Sequence, residues 1–183
     1  MDLVHLDNVK NLPPLTFVLG GAASGKSLIS EMLINNSGLD PTYIATGRIW
    51  DEETKVRVDV HKERRDDRWT TIEAPIDVAS ALAEATSDQA VLIDCATMWL
   101  TNLVMDERDI PEAQAELFEA IQACAAPVVL VSNEVGQGIV PENALARRFR
   151  DVQGRFNLRS AEAADVVINV VAGLPLALKG KFT

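Results

Sequence analysis

The chain predicts an α/β domain built on a mainly parallel central sheet flanked by helices. Three observations carry that expectation. Apolar, β-branched runs alternate with helix-spaced segments along most of the 183 residues. A glycine-rich segment, Gly20-Gly21-Ala22-Ala23-Ser24-Gly25-Lys26-Ser27, directly follows the first such run. Polar residues then sit at the ends of successive runs, where the loops of an open α/β sheet converge on a ligand.

Taken in order, Leu15-Thr16-Phe17-Val18-Leu19 is a compact run suited to a buried strand over 15–20, and SLISEMLI (27–34) carries helical spacing within a helix over 26–36. Further strands are expected at 42–46 (TYIAT), 69–73 (WTTIE), 91–95 (VLIDC), 128–133 (VVLVSN) and 166–172 (VVINVVA). The intervening helical patterns cover 51–65, 76–86, 97–105, 111–125 and 142–163. Pro141 suits the first turn of the last helix and Glu142 its positive end. A short edge strand over 174–178 follows Gly173 and contains Pro175. Residues 1–14 read as a leader closed by Pro13-Pro14, and 15–183 as a single nucleotide-binding catalytic domain.

The glycine-rich segment fits G-x-x-x-x-G-K-[ST], the phosphate-binding P-loop. Its fixed positions arise by chance in fewer than roughly one chain in a hundred of this length. Two glycines let the backbone curl so that N–H groups from Gly20 through Ser27 converge on phosphate oxygens, and the following helix adds its positive end. Lys26 is placed to reach the β- and γ-phosphates, and the Ser27 hydroxyl to ligate Mg²⁺. The expected fold is therefore a P-loop NTPase of RecA-like type.

Bulk properties exclude other classes. A formal net charge of −10 argues against general binding to nucleic acid or anionic membranes. No apolar run approaches a membrane span, and the N-terminus lacks the pattern of a signal peptide. Cys95 and Cys124 have apolar neighbours and no metal-ligand spacing, as reduced thiols of a cytoplasmic protein would. Basic residues cluster at Lys62/Arg64/Arg65/Arg68, Arg147/Arg148/Arg150 and Arg155/Arg159. These either face anionic ligands or form solvated helix faces laced with ion pairs.

Asp94 closes the run Val91-Leu92-Ile93 and suits the acidic member of a Mg²⁺ site beside the P-loop, with a helix cap or structural ion pair as the alternative. His61 lies among cations that favour neutral imidazole, the nucleophilic form, although a lone histidine on a charged helix is usually inert. Thr46-Gly47-Arg48, Glu73 and Asn133-Glu134 mark the ends of three other strands. Residues 136–143 (GQGIVPEN) form a loop leading into a helix, either an ordinary turn or a substrate contact.

Together, GGAASGKS (20–27), YIATGR (43–48), RVDVHKERR (57–65), WTTIEAP (69–75), VLIDCATMWLTNL (91–103), SNEVGQGIVPENALARRFRDVQGRFNLR (132–159) and VVAGLPLALK (170–179) resemble the bifunctional adenosylcobinamide kinase/adenosylcobinamide-phosphate guanylyltransferase family of cobalamin biosynthesis. The resemblance implies that ATP or GTP phosphorylates the aminopropanol hydroxyl of adenosylcobinamide. GTP then guanylylates a histidine, releasing pyrophosphate, and GMP passes to adenosylcobinamide phosphate. The family's histidine context lands on His61. By the same resemblance Gly20 to Ser27, Thr46, Gly47, Arg48, Lys62, Glu63, Arg64, Arg65, Glu73 and Asp94 form the GTP site, and the protein is a homotrimer. Ala23 stands where many relatives carry Arg, and Gln137 where Met is frequent. A plain P-loop kinase without covalent catalysis, or a nucleotide switch acting on a protein or nucleic acid, are the competing classes; the acidic balance counts against the second.

Overall fold

The computed structural model describes residues 3–4, 6, 9–48 and 65–182. The helix expected over 51–65, with His61, Lys62, Glu63 and Arg64, lies outside the described residues except for Arg65, which sits in a bend. Seven strands form one sheet: β1 (Leu15–Gly20), β2 (Asp40–Ala45), β3 (Thr70–Glu73), β4 (Gln89–Asp94), β5 (Val128–Asn133), β6 (Val166–Val171) and β7 (Leu174–Lys179). The spatial order is β3-β2-β4-β5-β1-β6-β7. Every pairing is parallel except that of β7, which folds back on β6. The described helices are α1 (Lys26–Ser37), α2 (Val78–Ala83), α3 (Ala96–Met105), α4 (Ile110–Ala123) and α5 (Ala144–Ala163).

The central strands read as continuous apolar runs because helices cover both faces. Val128 to Val131 are all fully buried. On one face Phe17, Ile93, Leu130 and Phe156 pack with Trp99, Leu100 and Leu103 of α3, Leu82 of α2 and Leu117 of α4. On the other, Val18, Leu92, Val131 and Ile168 meet Ile29, Leu33 and Ile34 of α1. Leu6 and Val9 of the expected leader join this second core, and the Val4 N–H donates to the Pro175 carbonyl at 2.9 Å. The described part of that segment is thus docked on the sheet domain.

Helix ends differ from the sequence expectation where a side chain offers a better cap. The last helix starts at Ala144, because Asn143 is its cap and accepts the Ala146 N–H at 3.1 Å. Pro141 and Glu142 lie before that cap, and their carbonyls accept bonds from Arg147. Asp77 caps α2 through the Ser80 N–H, and a turn in which Gln89 Oε1 accepts the Thr86 N–H follows, so this helix spans 78–83 rather than 76–86. The second strand begins at Asp40, two residues before the expected start, and ends at Ala45, leaving Thr46 to the loop.

Candidate active site

Parallel strands bring their carboxyl ends to one edge of the sheet, and β1 delivers Gly20 there. A Cβ on Gly20 would stand 2.5 Å from Ser24 Oγ and 2.7 Å from the Val170 carbonyl, so only glycine permits the loop to close. Gly25 has φ +95°, and its substituent would press on Gly173 Cα at 3.3 Å. Gly25 is also the N-cap of α1 and offers no side-chain acceptor, which leaves the first-turn N–H groups aimed at an incoming anion. The Gly173 N–H donates to the Ser24 carbonyl at 2.8 Å, tying the loop to the β6–β7 turn. Lys26 is buried and donates to the Gly21 carbonyl at 3.0 Å. Ser24 Oγ is buried with no hydrogen-bond partner among the described residues, an acceptor-seeking hydroxyl inside the loop.

The neighbouring ends of β2 and β4 are locked together. Thr46 is fully buried; its hydroxyl donates to the Cys95 carbonyl and accepts the Cys95 N–H, both at 2.8 Å. Asn102 of α3 donates to the Thr46 and Pro75 carbonyls, each at 2.8 Å. The Thr46 side chain is therefore committed to positioning Asp94-Cys95. Behind it, the Arg65 guanidinium stacks 3.5 Å from the centroid of the Tyr43 ring. Burial, and after it the Asp94 carboxylate, hold the Tyr43 phenol far above its usual range. The same two causes push the Cys95 thiol up to about 11. Arg48 grips Asp106 through two bonds of 2.8 and 2.6 Å, which holds that exposed carboxyl below the usual range. Glu73 ends the outermost strand β3 and is exposed.

Between β4 and β1 lies β5, whose end is held from three sides. The Asn133 N–H donates to Thr97 Oγ1 at 2.9 Å, its carbonyl accepts from Asn157 at 3.1 Å, and the Glu134 N–H reaches the Gly20 carbonyl at 2.9 Å. Beneath, Ser132, Gln153 and Asn157 form a buried network. Beyond, the Glu134 carboxylate accepts the Gly136 N–H while Arg150 donates to the Gly136 carbonyl. The glycine loop thus leans on α5, with Ile139 and Val140 in solvent.

One edge therefore gathers Gly20 to Ser27, Thr46 to Arg48, Glu73, Asp94 and Asn133-Glu134. Sequence reasoning missed Thr97, Asn102, Gln153 and Asn157. Their signal was a polar side chain in register with the buried face of its helix. Among the described residues no group of three or more His, Cys, Asp or Glu could hold a metal ion. Ser27 and Asp94 carry hard oxygens of the kind that could hold Mg²⁺ together with phosphates and water. A cavity of about 230 Å³ between α2, α3 and α4, lined by Trp99, Leu103, Leu117 and Arg108, includes no P-loop residue. No helix among the described residues is long and apolar enough to cross a membrane.

Residues 16–178 match the family model described as cobinamide kinase / cobinamide phosphate guanyltransferase. The bifunctional adenosylcobalamin biosynthesis protein CobP of Pseudomonas aeruginosa is 41% identical over 167 residues, covering 90% of this chain and 96% of its own. CobU of Salmonella typhimurium is 41% identical over 181 residues, covering 90% and 99%. An ATPase of a bacterial type III secretion system superposes with a TM-score of 0.55 at 11% identity, over 90% of this chain and 53% of that one. The flagellar accessory protein FlaH of Methanocaldococcus jannaschii gives 0.51 at 12% identity, over 98% and 89%. At such identities the structural likeness shows the α/β P-loop fold alone.

Proposed function

The chain belongs to the cobinamide kinase / cobinamide phosphate guanyltransferase family, and from that premise we propose that one edge of the sheet serves both of its reactions. In the kinase reaction the aminopropanol hydroxyl of adenosylcobinamide attacks the γ-phosphorus of ATP or GTP, and the nucleoside diphosphate leaves. In the second, a ring nitrogen of His61 attacks the α-phosphorus of GTP, forming an N–P bond as pyrophosphate departs. A phosphate oxygen of adenosylcobinamide phosphate then displaces the imidazole and takes the GMP. The covalent intermediate divides a hard transfer into two displacements, each with a good leaving group.

The P-loop in its strand–loop–helix setting is the observation that carries this reading. Its backbone N–H groups, the first turn of α1 and Lys26 bind the phosphates, and Lys26 leaves the Gly21 carbonyl to do so. Mg²⁺, held by Ser27 and Asp94, would supply charge neutralisation across the phosphates. Thr46 positions Asp94, while Gly47, Arg48 and Glu73, with Lys62, Glu63, Arg64 and Arg65, complete the GTP site. Arg65, four residues beyond His61 in sequence, stacks on Tyr43. A cytoplasmic homotrimer belongs to the same proposal.

Incubation with Mg²⁺ and α-labelled GTP tests it. Acid-labile, alkali-stable label that is absent from His61→Ala supports the guanylyl-histidine. An intact, GTP-binding wild-type protein that takes up no α-label overturns the covalent route and leaves a plain kinase.

A further inference from the structure

Three nucleophiles act in the proposed reactions, and only one carries a proton that must be lost. Neutral imidazole attacks through a lone pair, and a phosphate monoester is already an anion. The aminopropanol group is an alcohol, as weak an acid as water, so it keeps its proton at neutral pH. The kinase step therefore gains most from a general base, which must come within hydrogen-bond reach of the hydroxyl beside the γ-phosphate.

Three acidic residues of the gathered edge compete for that role. Neighbouring strands stand about 4.8 Å apart. In the order β3-β2-β4-β5-β1, Glu73 is four steps from the P-loop strand, roughly 19 Å, and Asp94 two, roughly 10 Å. Glu134 directly follows β5, one step away, and its N–H bonds to the carbonyl of Gly20, the first residue of the P-loop. Its backbone is pinned through Asn133 by Thr97 and Asn157. Its carboxylate is steadied by the Gly136 N–H and is half-buried, open to a substrate arriving from solvent. Asp94 is meanwhile assigned to Mg²⁺.

Resting on the bifunctional reading above, we propose that Glu134 is the general base of the kinase reaction. Its carboxylate takes the hydroxyl proton as the oxygen bonds to the γ-phosphorus. The bond from that phosphorus to the β–γ bridging oxygen breaks, its electron pair leaves with the diphosphate, and the carboxylic acid returns its proton to water. Neither guanylyl-transfer step uses it.

Glu134→Gln tests the assignment cleanly, since the amide oxygen still accepts the Gly136 N–H and keeps the loop in place. Wild-type and variant proteins are assayed with adenosylcobinamide and ATP. In parallel, α-labelled GTP reports histidine labelling and its transfer to adenosylcobinamide phosphate. The kinase kcat falls about 100-fold or more, KM shifts by less than about threefold, and the guanylyl steps stay within about threefold. Glu134→Asp, which keeps a carboxylate, recovers part of the kinase rate. Kinase activity retained within about threefold overturns the assignment, as does a parallel loss of kinase and guanylyl transfer, which marks a structural role. A wild-type protein that guanylylates His61 but phosphorylates no cobinamide overturns this base alone; one that does neither overturns the parent reading with it.

Discussion

Replacing Thr46 with Val keeps the shape of the side chain and removes one hydroxyl from a fully buried site. That hydroxyl accepts the Cys95 N–H and donates to the Cys95 carbonyl. The two losses are unequal. The carbonyl still accepts the Trp99 N–H at 3.2 Å in the first turn of α3, so it forfeits one bond of two. The N–H is stranded in a dry interior, which costs about 1–3 kcal/mol, and the second bond adds about 0.5–1.5 kcal/mol. The expected destabilisation is about 2–4 kcal/mol. For a domain of this size each kcal/mol lowers Tm by about 2–4 °C. Thr46→Ser keeps both bonds and loses one buried methyl, at about 1 kcal/mol. Guanidinium unfolding of the wild type and both variants, with unchanged slopes, measures the difference. The reasoning fails if Thr46→Val lies within about 0.5 kcal/mol of wild type, or is no worse than Thr46→Ser.

Gly20→Ala drives a Cβ against the Val170 carbonyl, which cannot swing aside as Ser24 Oγ can, and should cost about 1–3 kcal/mol in thermal or denaturant unfolding. Gly21→Ala, with nothing within 4 Å of its added carbon, stays within about 0.5 kcal/mol. Cys95 is buried with its thiol raised to about 11, whereas Cys124 is partly exposed. At pH 8 a folded protein should therefore alkylate at Cys124 long before Cys95, read by peptide mass mapping. Equal rates in the native state would refute the burial argument, and denaturant should equalise them.

Local pattern was enough for the elements that the described residues form. The run LTFVLG, the loop GGAASGKS and the helical spacing behind it occur in the order that the structure shows as β1, P-loop and α1. Period-2 and period-3.6 signals are written in neighbouring residues, so they survive without knowledge of the fold. Helix boundaries were less legible. Asn143 and Asp77 compete with nearby Pro141 and Ile76 for the first turn, and the winner depends on whether a side chain reaches the N–H three residues on.

The sequence by itself determined a phosphate-binding loop between strand and helix, polar residues closing the strands, and an acidic α/β domain. Only the tertiary structure decided which strands are neighbours. Placing β5 between β1 and β4 sets Glu134 against Gly20, although the two are far apart along the chain. It also turned Thr46 inward to clamp Cys95, and recruited Gln153 and Asn157 of α5 to support the end of β5. Strand order and buried polar networks are set by long-range packing and by the need to pair every buried donor, and no spacing of adjacent residues encodes either.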